Sequence, residues 1–253
     1  MSEIEFDPKC YVPPPDLLHD RVILVTGASD GIGRALATAC AGLGARVVLS
    51  GRKQRKLEAV HDAIVASGAP RPSIAPLDFE KADGHAYEAL AQAIGTEFGR
   101  LDGLAHMAAQ LGERAPIEHC DVGTWMRVMH VNLNAPFMLT KVLMPCLRAS
   151  QDASVVFASS GVSVRGRPYW GAYGVSKFAL EGLMQALASE TDTTTNIRFN
   201  SVNPGRARTG MRALAYPGED RASVPAPETL LAPFLYLLGR ASQGVTGLRF
   251  ESQ

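Results

Sequence analysis

Short apolar runs alternate with segments of helical periodicity along most of the chain. The run Val22–Val25 is continuously apolar, which is typical of a strand buried on both faces of a sheet. After it, apolar residues recur at helical spacing between Ile32 and Leu43. The same alternation predicts further strands within 46–50, 73–77, 101–108, 154–158, 197–202 and 247–250, and further helices within 54–67, 84–98, 122–150, 173–190 and 227–238. We expect an interruption of the long helix near 132–136.

This alternation, with short connections, indicates a parallel sheet with helices on both faces. We therefore predict an α/β fold: a single-domain, Rossmann-type doubly wound parallel sheet of about seven strands. Residues 1–20 are predicted to form an N-terminal arm, made extended by Pro13, Pro14 and Pro15, and residues 21–253 to form the domain. Segment 205–225 contains prolines and glycines and has weak periodicity, so we expect a long functional loop there.

Composition excludes several classes of protein. The 253 residues include 46% hydrophobic and 20% charged residues, an ordinary globular balance. Lysine and arginine number 25, as do aspartate and glutamate, so the net charge of 0 argues against binding nucleic acid or an anionic membrane through bulk charge. The four cysteines have neither zinc-site nor disulfide-framework spacing, so we predict mostly buried thiols and no metal. No signal-peptide pattern or membrane-length apolar stretch is present, so we expect a cytoplasmic protein.

A glycine-rich turn follows the first strand. The segment Thr26–Gly33 reads T-G-A-S-D-G-I-G and leads directly into the first helix. Glycines there permit a tight turn and the close approach of a pyrophosphate, and the helix N-terminus offers free N–H groups to an anion. A plain strand-to-helix turn also favours glycine, but this position favours dinucleotide binding. The predicted binding residues are Gly27, Ser29, Asp30, Gly31, Ile32 and Gly33.

The residue after the second strand bears on the choice of dinucleotide. Folds that bind NAD usually place an acidic residue near this point to hold the ribose 2′-hydroxyl, and this chain has Arg52 there, followed by Lys53, Arg55 and Lys56. A guanidinium can bind a 2′-phosphate, whereas a carboxylate would repel it. We therefore predict NADP (NADPH) rather than NAD as the cofactor, the alternative being a solvated basic start of a helix.

Three side chains form a candidate catalytic group. Tyr173 and Lys177 are four residues apart and share one face of a predicted helix. A cation next to a phenol favours the phenolate and lowers its pKa, which suits acid–base chemistry. The Y-x-x-x-K pattern is common by chance, but here it follows Ser160 at the end of the fifth strand, where open α/β sheets bind ligands. A hydroxyl at that place can donate a hydrogen bond to a substrate oxygen.

Together these motifs resemble those of the short-chain dehydrogenase/reductase family over roughly residues 20–250. The resemblance also includes Asp78 after the third strand, Asn132 in V-N-L, and N-P-G at 203–205 followed by Thr209. The segments around the glycine turn and Tyr173 are especially similar to a bacterial subgroup, the YciK-type oxidoreductases. The resemblance implies an NADP(H)-dependent oxidoreductase that transfers a hydride between the nicotinamide and a small carbonyl or alcohol substrate. It also implies a homodimer or homotetramer.

The resemblance implies a role for each matching residue. Tyr173 is the expected general acid–base, and Lys177 is expected to hold the nicotinamide ribose and lower the tyrosine pKa. Ser160 is expected to orient the carbonyl, and Asn132 to hold a water of the proton relay. Asp78 would contact the adenine, and Thr209 the carboxamide. Other expected cofactor-binding residues are Phe79, Ala108, Pro204 and Gly205.

One segment departs from the family pattern. Where the family usually has N-N-A-G after the fourth strand, this chain has His106, Met107, Ala108 and Ala109. The usual asparagine ties strands together, so its replacement calls local rigidity and cofactor affinity into question. We expect His106 to be a structural residue rather than a titrating switch.

Segment 205–225 would then be a substrate lid, with Met211, Leu214 and Tyr216 as candidate substrate contacts, although each can also be ordinary packing.

The alternative function is a non-catalytic dinucleotide-binding or regulatory protein; an NAD-dependent dehydrogenase is less favoured. A sugar-nucleotide epimerase can share Y-x-x-x-K, but the chain after the sixth strand is too short for the extra substrate domain that such enzymes usually need.

Overall fold

The described part of the chain, residues 7–191 and 194–253 of a computed structural model, contains seven strands in one parallel sheet. The strands are β1 (Val22–Thr26), β2 (Arg46–Gly51), β3 (Ser73–Pro76), β4 (Gly103–His106), β5 (Ala153–Ala158), β6 (Ile197–Asn203) and β7 (Arg249–Glu251). Their order across the sheet is β3-β2-β1-β4-β5-β6-β7. Strand order reverses between β1 and β4, the point at which open α/β sheets bind ligands. The predicted seven-stranded parallel sheet is confirmed.

Helices cover both faces of the sheet. They are α1 (Gly31–Gly42), α2 (Gln54–Ala66), α3 (Gly84–Phe98), α4 (Val122–Met129), α5 (Ala135–Arg148), α6 (Gly171–Thr191), α7 (Gly210–Ala215) and α8 (Ala232–Leu238). Alternate residues of β1 belong to different cores: Ile23 packs with α1, α2 and α8, whereas Leu24 packs with α3, α5 and α6. The central strands β1 and β5 are buried along their whole length and are mainly apolar, and this explains why they are visible in the sequence.

The expected interruption of the long fourth helix is present. A π-helical turn at His130–Asn134 separates α4 from α5. Pro136 lies in the first turn of α5, directly after the π turn, and has no N–H to donate to the carbonyls of that turn. π turns are rare in proteins, but those that occur are frequently located at functional sites. This one carries Asn132.

Two predicted segments differ from the structure. The predicted helix over 227–238 is divided into a 3₁₀ turn, Pro227–Leu230, and α8, because Pro233 lacks the N–H that a continuous helix needs. The predicted loop over 205–225 contains α7 and a 3₁₀ turn, Arg221–Ser223. The short α7 is capped by Thr209, whose side chain accepts from the N–H of Arg212. Helical periodicity cannot be detected over six residues.

The described part of the N-terminal arm packs on the domain. Leu18 is fully buried, and the Tyr11 ring lies edge-on to Tyr236 of α8 with the ring centres 5.4 Å apart. Residues 1–6 of the predicted arm lie outside the described residues. None of the helices in the described ranges combines the length and apolarity needed to cross a membrane. The expectation of mostly buried thiols is wrong, because Cys40 is buried but Cys120 and Cys146 are half-buried and Cys10 is exposed.

Candidate active site

A cleft of about 580 Å³ lies at the carboxyl edge of the sheet. It is lined by most of the residues that the sequence singled out: Gly27, Ser29, Asp30, Gly31, Ile32, Gly33, Arg52, Asp78, Phe79, Ala108, Tyr173, Lys177, Pro204, Thr209, Met211 and Leu214. Ser160, Asn132, Gly205 and Tyr216 are not part of the lining. A larger groove of about 800 Å³ behind the N-terminal arm shares Ser29 and Asp30 with the cleft but contains no candidate catalytic side chain.

The glycine turn is built by close backbone approach. Gly27 has φ +64°, and a Cβ atom there would lie 2.9 Å from the backbone of Ala108. A Cβ atom at Gly33 would lie 2.4 Å from the carbonyl oxygen of Gly27. Asp30 caps α1 by accepting from the Gly31 N–H over 2.8 Å. The first turn of α1 is thereby held against the end of β1, with its N–H groups toward the cleft.

Basic side chains line one end of the cleft. Lys56 Nζ lies 2.7 Å from Asp30 Oδ2, and this contact holds the pKa of Asp30 below its usual range. Among the described residues, the side chains of Arg52 and Lys53 have no ion-pair or hydrogen-bond partner. Both are exposed at the end of β2. This end of the cleft therefore offers two unpaired positive charges to an anion.

At the other end of the cleft, α6 places Lys177 beside Tyr173. Lys177 is only 3% exposed, its Nζ lies 5.8 Å from the centre of the Tyr173 ring, and it donates to the carbonyl oxygen of Ala158 over 2.6 Å. Burial lowers the pKa of Lys177 to about 8, against the opposing charge of Glu181.

Burial raises the pKa of Tyr173, and a hydrogen bond with Ser160 opposes that rise only in part. Desolvation of the phenolate sets the direction in this structure, and the expected lowering of the Tyr173 pKa by Lys177 stays a prediction. The phenol is protonated at neutral pH.

Asn132 lies behind the cleft and forms hydrogen bonds with Gln110, a residue of the cleft wall. It is 1% exposed; its Oδ1 accepts from the Gln110 N–H over 2.8 Å, and its Nδ2 donates to the Gln110 carbonyl over 2.9 Å. Nδ2 also donates to Ser176 Oγ over 3.0 Å. Both N–H groups of the amide are thus used within the protein, and a water could meet this side chain only at Oδ1. The two hydrogen bonds from Asn132 hold Gln110 in place, and Gln110 itself lines the cleft.

Thr26 binds the segment in which the family asparagine is missing. Its hydroxyl accepts from the N–H groups of Met107 and Ala108 over 3.0 and 3.1 Å, which ties β1 to the segment after β4. His106 Nε2 lies 2.9 Å from Thr140 Oγ1, and its ring stacks on Phe157. Burial, with the nearby charge of Lys177, lowers the pKa of His106 to about 3, so the ring stays neutral in its structural position.

Residues 107–112, which fold over the cleft after β4, were largely missed by sequence reasoning. Gln110 Nε2 donates to Glu80 Oε2 over 2.7 Å, and both side chains line the cleft together with Leu111. Segment 107–112 forms no helix or strand, so its sequence has no periodicity that could have revealed these contacts.

An aromatic cluster joins α7 to the rest of the site. The Tyr216 ring lies 6.1 Å from the Trp170 ring, and the Trp170 ring lies 5.6 Å from that of Tyr173. The Arg114 guanidinium lies 4.8 Å from the Trp170 ring and 4.9 Å from the Tyr216 ring, and Arg114 also donates to the carbonyl of Ala215. Tyr216 therefore acts as a support of α7 rather than as a wall of the cleft.

The start of segment 205–225 is held by the last residue of the chain. Gln253 Nε2 donates to the carbonyl oxygens of Pro204 and Arg206 over 2.9 and 2.7 Å. Gly205, between them, has φ +71°, and a Cβ atom there would lie 2.7 Å from the Gln253 side chain.

A doubly wound parallel sheet with a glycine turn at β1 and a Tyr–Lys pair across the same cleft defines the class of Rossmann-type oxidoreductases. The family model for short chain dehydrogenase matches residues 21–220. The chain belongs to this family.

The similar proteins are of the same kind. The oxidoreductase YciK of Escherichia coli strain K12 is 44% identical over 243 residues, which cover 96% of each chain. The structure of a short chain dehydrogenase from Pseudomonas syringae is 52% identical, with a TM-score of 0.95 over 98% of this chain and 99% of that one. A short chain dehydrogenase of E. coli CFT073, solved in complex with NADPH, is 45% identical, with a TM-score of 0.92 over 95% of this chain and 100% of that one.

Proposed function

We propose that this protein is an NADP(H)-dependent oxidoreductase that transfers a hydride between the nicotinamide and a carbonyl or alcohol substrate. The observation that carries the proposal is the single cleft that joins an anion-binding turn and unpaired cations at one end to Tyr173 and Lys177 at the other. Such an arrangement fits an elongated molecule with phosphates at one end and a reacting ring at the other.

The residues present fit the dinucleotide. The first turn of α1 would hold the pyrophosphate, Arg52 with Lys53 the 2′-phosphate, and Asp78 with Phe79 the adenine. Ala108, Pro204, Gly205, Thr209 and Lys177 would hold the nicotinamide half. NADPH in the E. coli CFT073 relative supports this choice. When bound, the nicotinamide supplies the hydride that the protein itself cannot provide.

The Tyr173 phenol would move the proton at the substrate oxygen. Because burial raises its pKa, the hydroxyl is protonated at neutral pH and can donate to a carbonyl oxygen that gains negative charge. Ser160, hydrogen-bonded to Tyr173, would orient the same oxygen. Lys177, mostly charged below about pH 8, would bind the ribose hydroxyls and stabilise the phenolate that remains.

The substrate side of the cleft is mostly apolar. Leu111, Met211 and Leu214 face it, and Gln110 supplies a polar group. Asn132 would act by holding Gln110 in place. These residues suit a small carbonyl or alcohol compound with an apolar body. Segment 205–225 would close over it as a lid.

The competing functions account less well for the site. A non-catalytic dinucleotide-binding protein has no use for a buried lysine and a hydrogen-bonded tyrosine side by side, because burying an ammonium costs free energy. An NAD-dependent dehydrogenase would be better served by an acidic residue in place of Arg52.

The test combines cofactor binding with turnover. We expect the purified protein to bind NADPH more tightly than NADH, and to oxidise NADPH in the presence of at least one member of a panel of aldehydes and ketones. Binding of NADPH without turnover of any member of a broad panel would favour the non-catalytic alternative.

Self-association is the remaining proposal. Val122 and Met126 of α4, Phe137 of α5, and Val175 and Phe178 of α6 are exposed apolar side chains. Apolar side chains exposed on neighbouring long helices support burial between copies of the chain, as a homodimer or homotetramer. Light scattering of the wild type and of Phe178→Glu tests this: a wild-type monomer would contradict it.

The cytoplasmic location stays a prediction.

A further inference from the structure

We infer that Glu181 is a positioning residue for Lys177 and for the turn that carries Ser160. This inference rests on the proposed function. Glu181 does not line the cleft, so it would act on a bound ligand only through these two residues. It is nevertheless a buried carboxylate, 7% exposed, one helical turn beyond Lys177 on α6.

The Glu181 carboxylate forms hydrogen bonds and an ion pair with residues in or just after three neighbouring strands. Ser159, at the end of β5, and Ser163 donate to Oε1, the second over 3.3 Å. Ser201 of β6 donates to Oε2 over 2.8 Å. Arg249 Nε of β7 lies 3.3 Å from Oε1. One carboxylate thus ties the ends of β5, β6 and β7 to α6 behind the cleft.

Two links lead from this network to the reacting side chains. Ser159 directly precedes Ser160, and Arg249 also donates to the Ser160 carbonyl over 3.4 Å. Lys177 in turn donates to the last carbonyl of β5. The carboxylate therefore restrains the serine turn, and Lys177, one turn earlier on the same helix, is hydrogen-bonded to the same strand end.

The charge of Glu181 adds an electrostatic effect on Lys177. It opposes the burial that lowers the pKa of the lysine to about 8. The other groups that face Lys177 are Tyr173 on α6 and His106 on β4, both neutral at pH 7. Arg249 is a cation that shares the same carboxylate. A glutamine at position 181 would still accept from the hydroxyls but would no longer stabilise the ammonium.

The test is the pH dependence of NADPH affinity, measured by NADPH fluorescence over a range that brackets the lysine pKa of about 8. The wild type should lose affinity as Lys177 loses its proton. In Glu181→Gln the midpoint of this loss should move to lower pH by on the order of one unit, which is a loss of affinity that approaches about tenfold at pH values above both midpoints. Arg249→Met keeps the carboxylate and removes its competing cation, so its midpoint should move to higher pH.

Ser201→Ala is the matched control, because it removes a hydrogen bond to Glu181 without changing any charge. Its midpoint should equal that of the wild type, and thermal unfolding of each variant identifies those that fold. A folded Glu181→Gln or Arg249→Met variant with the wild-type midpoint would overturn the inference while leaving the proposed function intact. If Glu181→Gln does not fold, Arg249→Met decides. A wild type without NADPH affinity would contradict the proposed function, and this inference with it.

Discussion

Reversal of the charge at Arg52 should convert a cleft that prefers NADPH into one that does not. Arg52 is exposed at the end of β2, lines the cleft, and has no ion-pair partner among the described residues. Its guanidinium is therefore free to form a forked contact with a 2′-phosphate. Arg52→Asp removes this contact and places a carboxylate beside the phosphate.

The expected loss of NADPH binding free energy in Arg52→Asp depends on the exposure of the Arg52 side chain. A hydrogen bond to a charged group contributes about 1.5–3 kcal/mol, and an exposed contact belongs at the lower end of that range because solvent and salt screen it. Repulsion between the new carboxylate and the phosphate adds about 1 kcal/mol in a water-like environment. NADPH binding should therefore weaken by about 2.5 kcal/mol, a factor of roughly 50 to 100. NADH lacks the phosphate, so its affinity should change by no more than about threefold.

Arg55→Asp provides a matched control. Arg55 is also exposed and three residues further along, but it does not line the cleft. The two variants have the same net charge, so any difference between them reports the local contact rather than the overall field. Fluorescence titration of both dinucleotides into the wild type and both variants, at low and physiological salt, measures the effect.

Two results would refute this reasoning. A wild type that binds NADH as tightly as NADPH would show that Arg52 does not select the cofactor. Equal losses of NADPH affinity in Arg52→Asp and Arg55→Asp would assign the effect to long-range charge, and Arg52 would then belong to an ordinary solvated helix start.

Three further predictions concern the reaction, the lid and the fold. Tyr173→Phe should lower turnover by about 10²–10⁴-fold and leave NADPH affinity nearly unchanged, because the phenol acts on the substrate proton; wild-type turnover would contradict the mechanism. Limited proteolysis should cut first within 205–225, and more slowly with NADPH; Arg114→Met should speed the cut by releasing α7, and equal rates with and without NADPH would argue against a lid. Asp152→Ala should lower the free energy of unfolding by about 3 kcal/mol in urea denaturation, since it leaves two buried arginines unpaired, whereas the exposed Asp62→Ala should change it little.

Much of the architecture could be predicted because it depends on local pattern. A strand buried on both faces tends to be mainly apolar, and an amphipathic helix repeats its apolar residues every three or four positions. The sheet, the helices up to α6 and the interruption at His130–Asn134 follow from these two rules. The six-residue α7 was missed, because so short a segment has no periodicity to detect.

The sequence also placed most candidate residues correctly at one edge of the sheet, because parallel strands bring their carboxyl ends together. It could not determine how buried each group becomes. The pKa of Tyr173 is the clearest case: spacing from Lys177 predicts that it is lowered, but desolvation inside the folded chain raises it.

By itself, then, the sequence determined the fold class, the edge of the sheet that bears the site, and the residue types available there. Only the tertiary structure decided which of them meet. Thr26 ties β1 to the segment after β4, and the side-chain amide of Asn132 forms hydrogen bonds with the backbone of Gln110. Glu181 comes to lie between Arg249 and the serine turn. These contacts join residues up to 82 positions apart, and no local pattern encodes them, since they depend on how the elements pack in three dimensions.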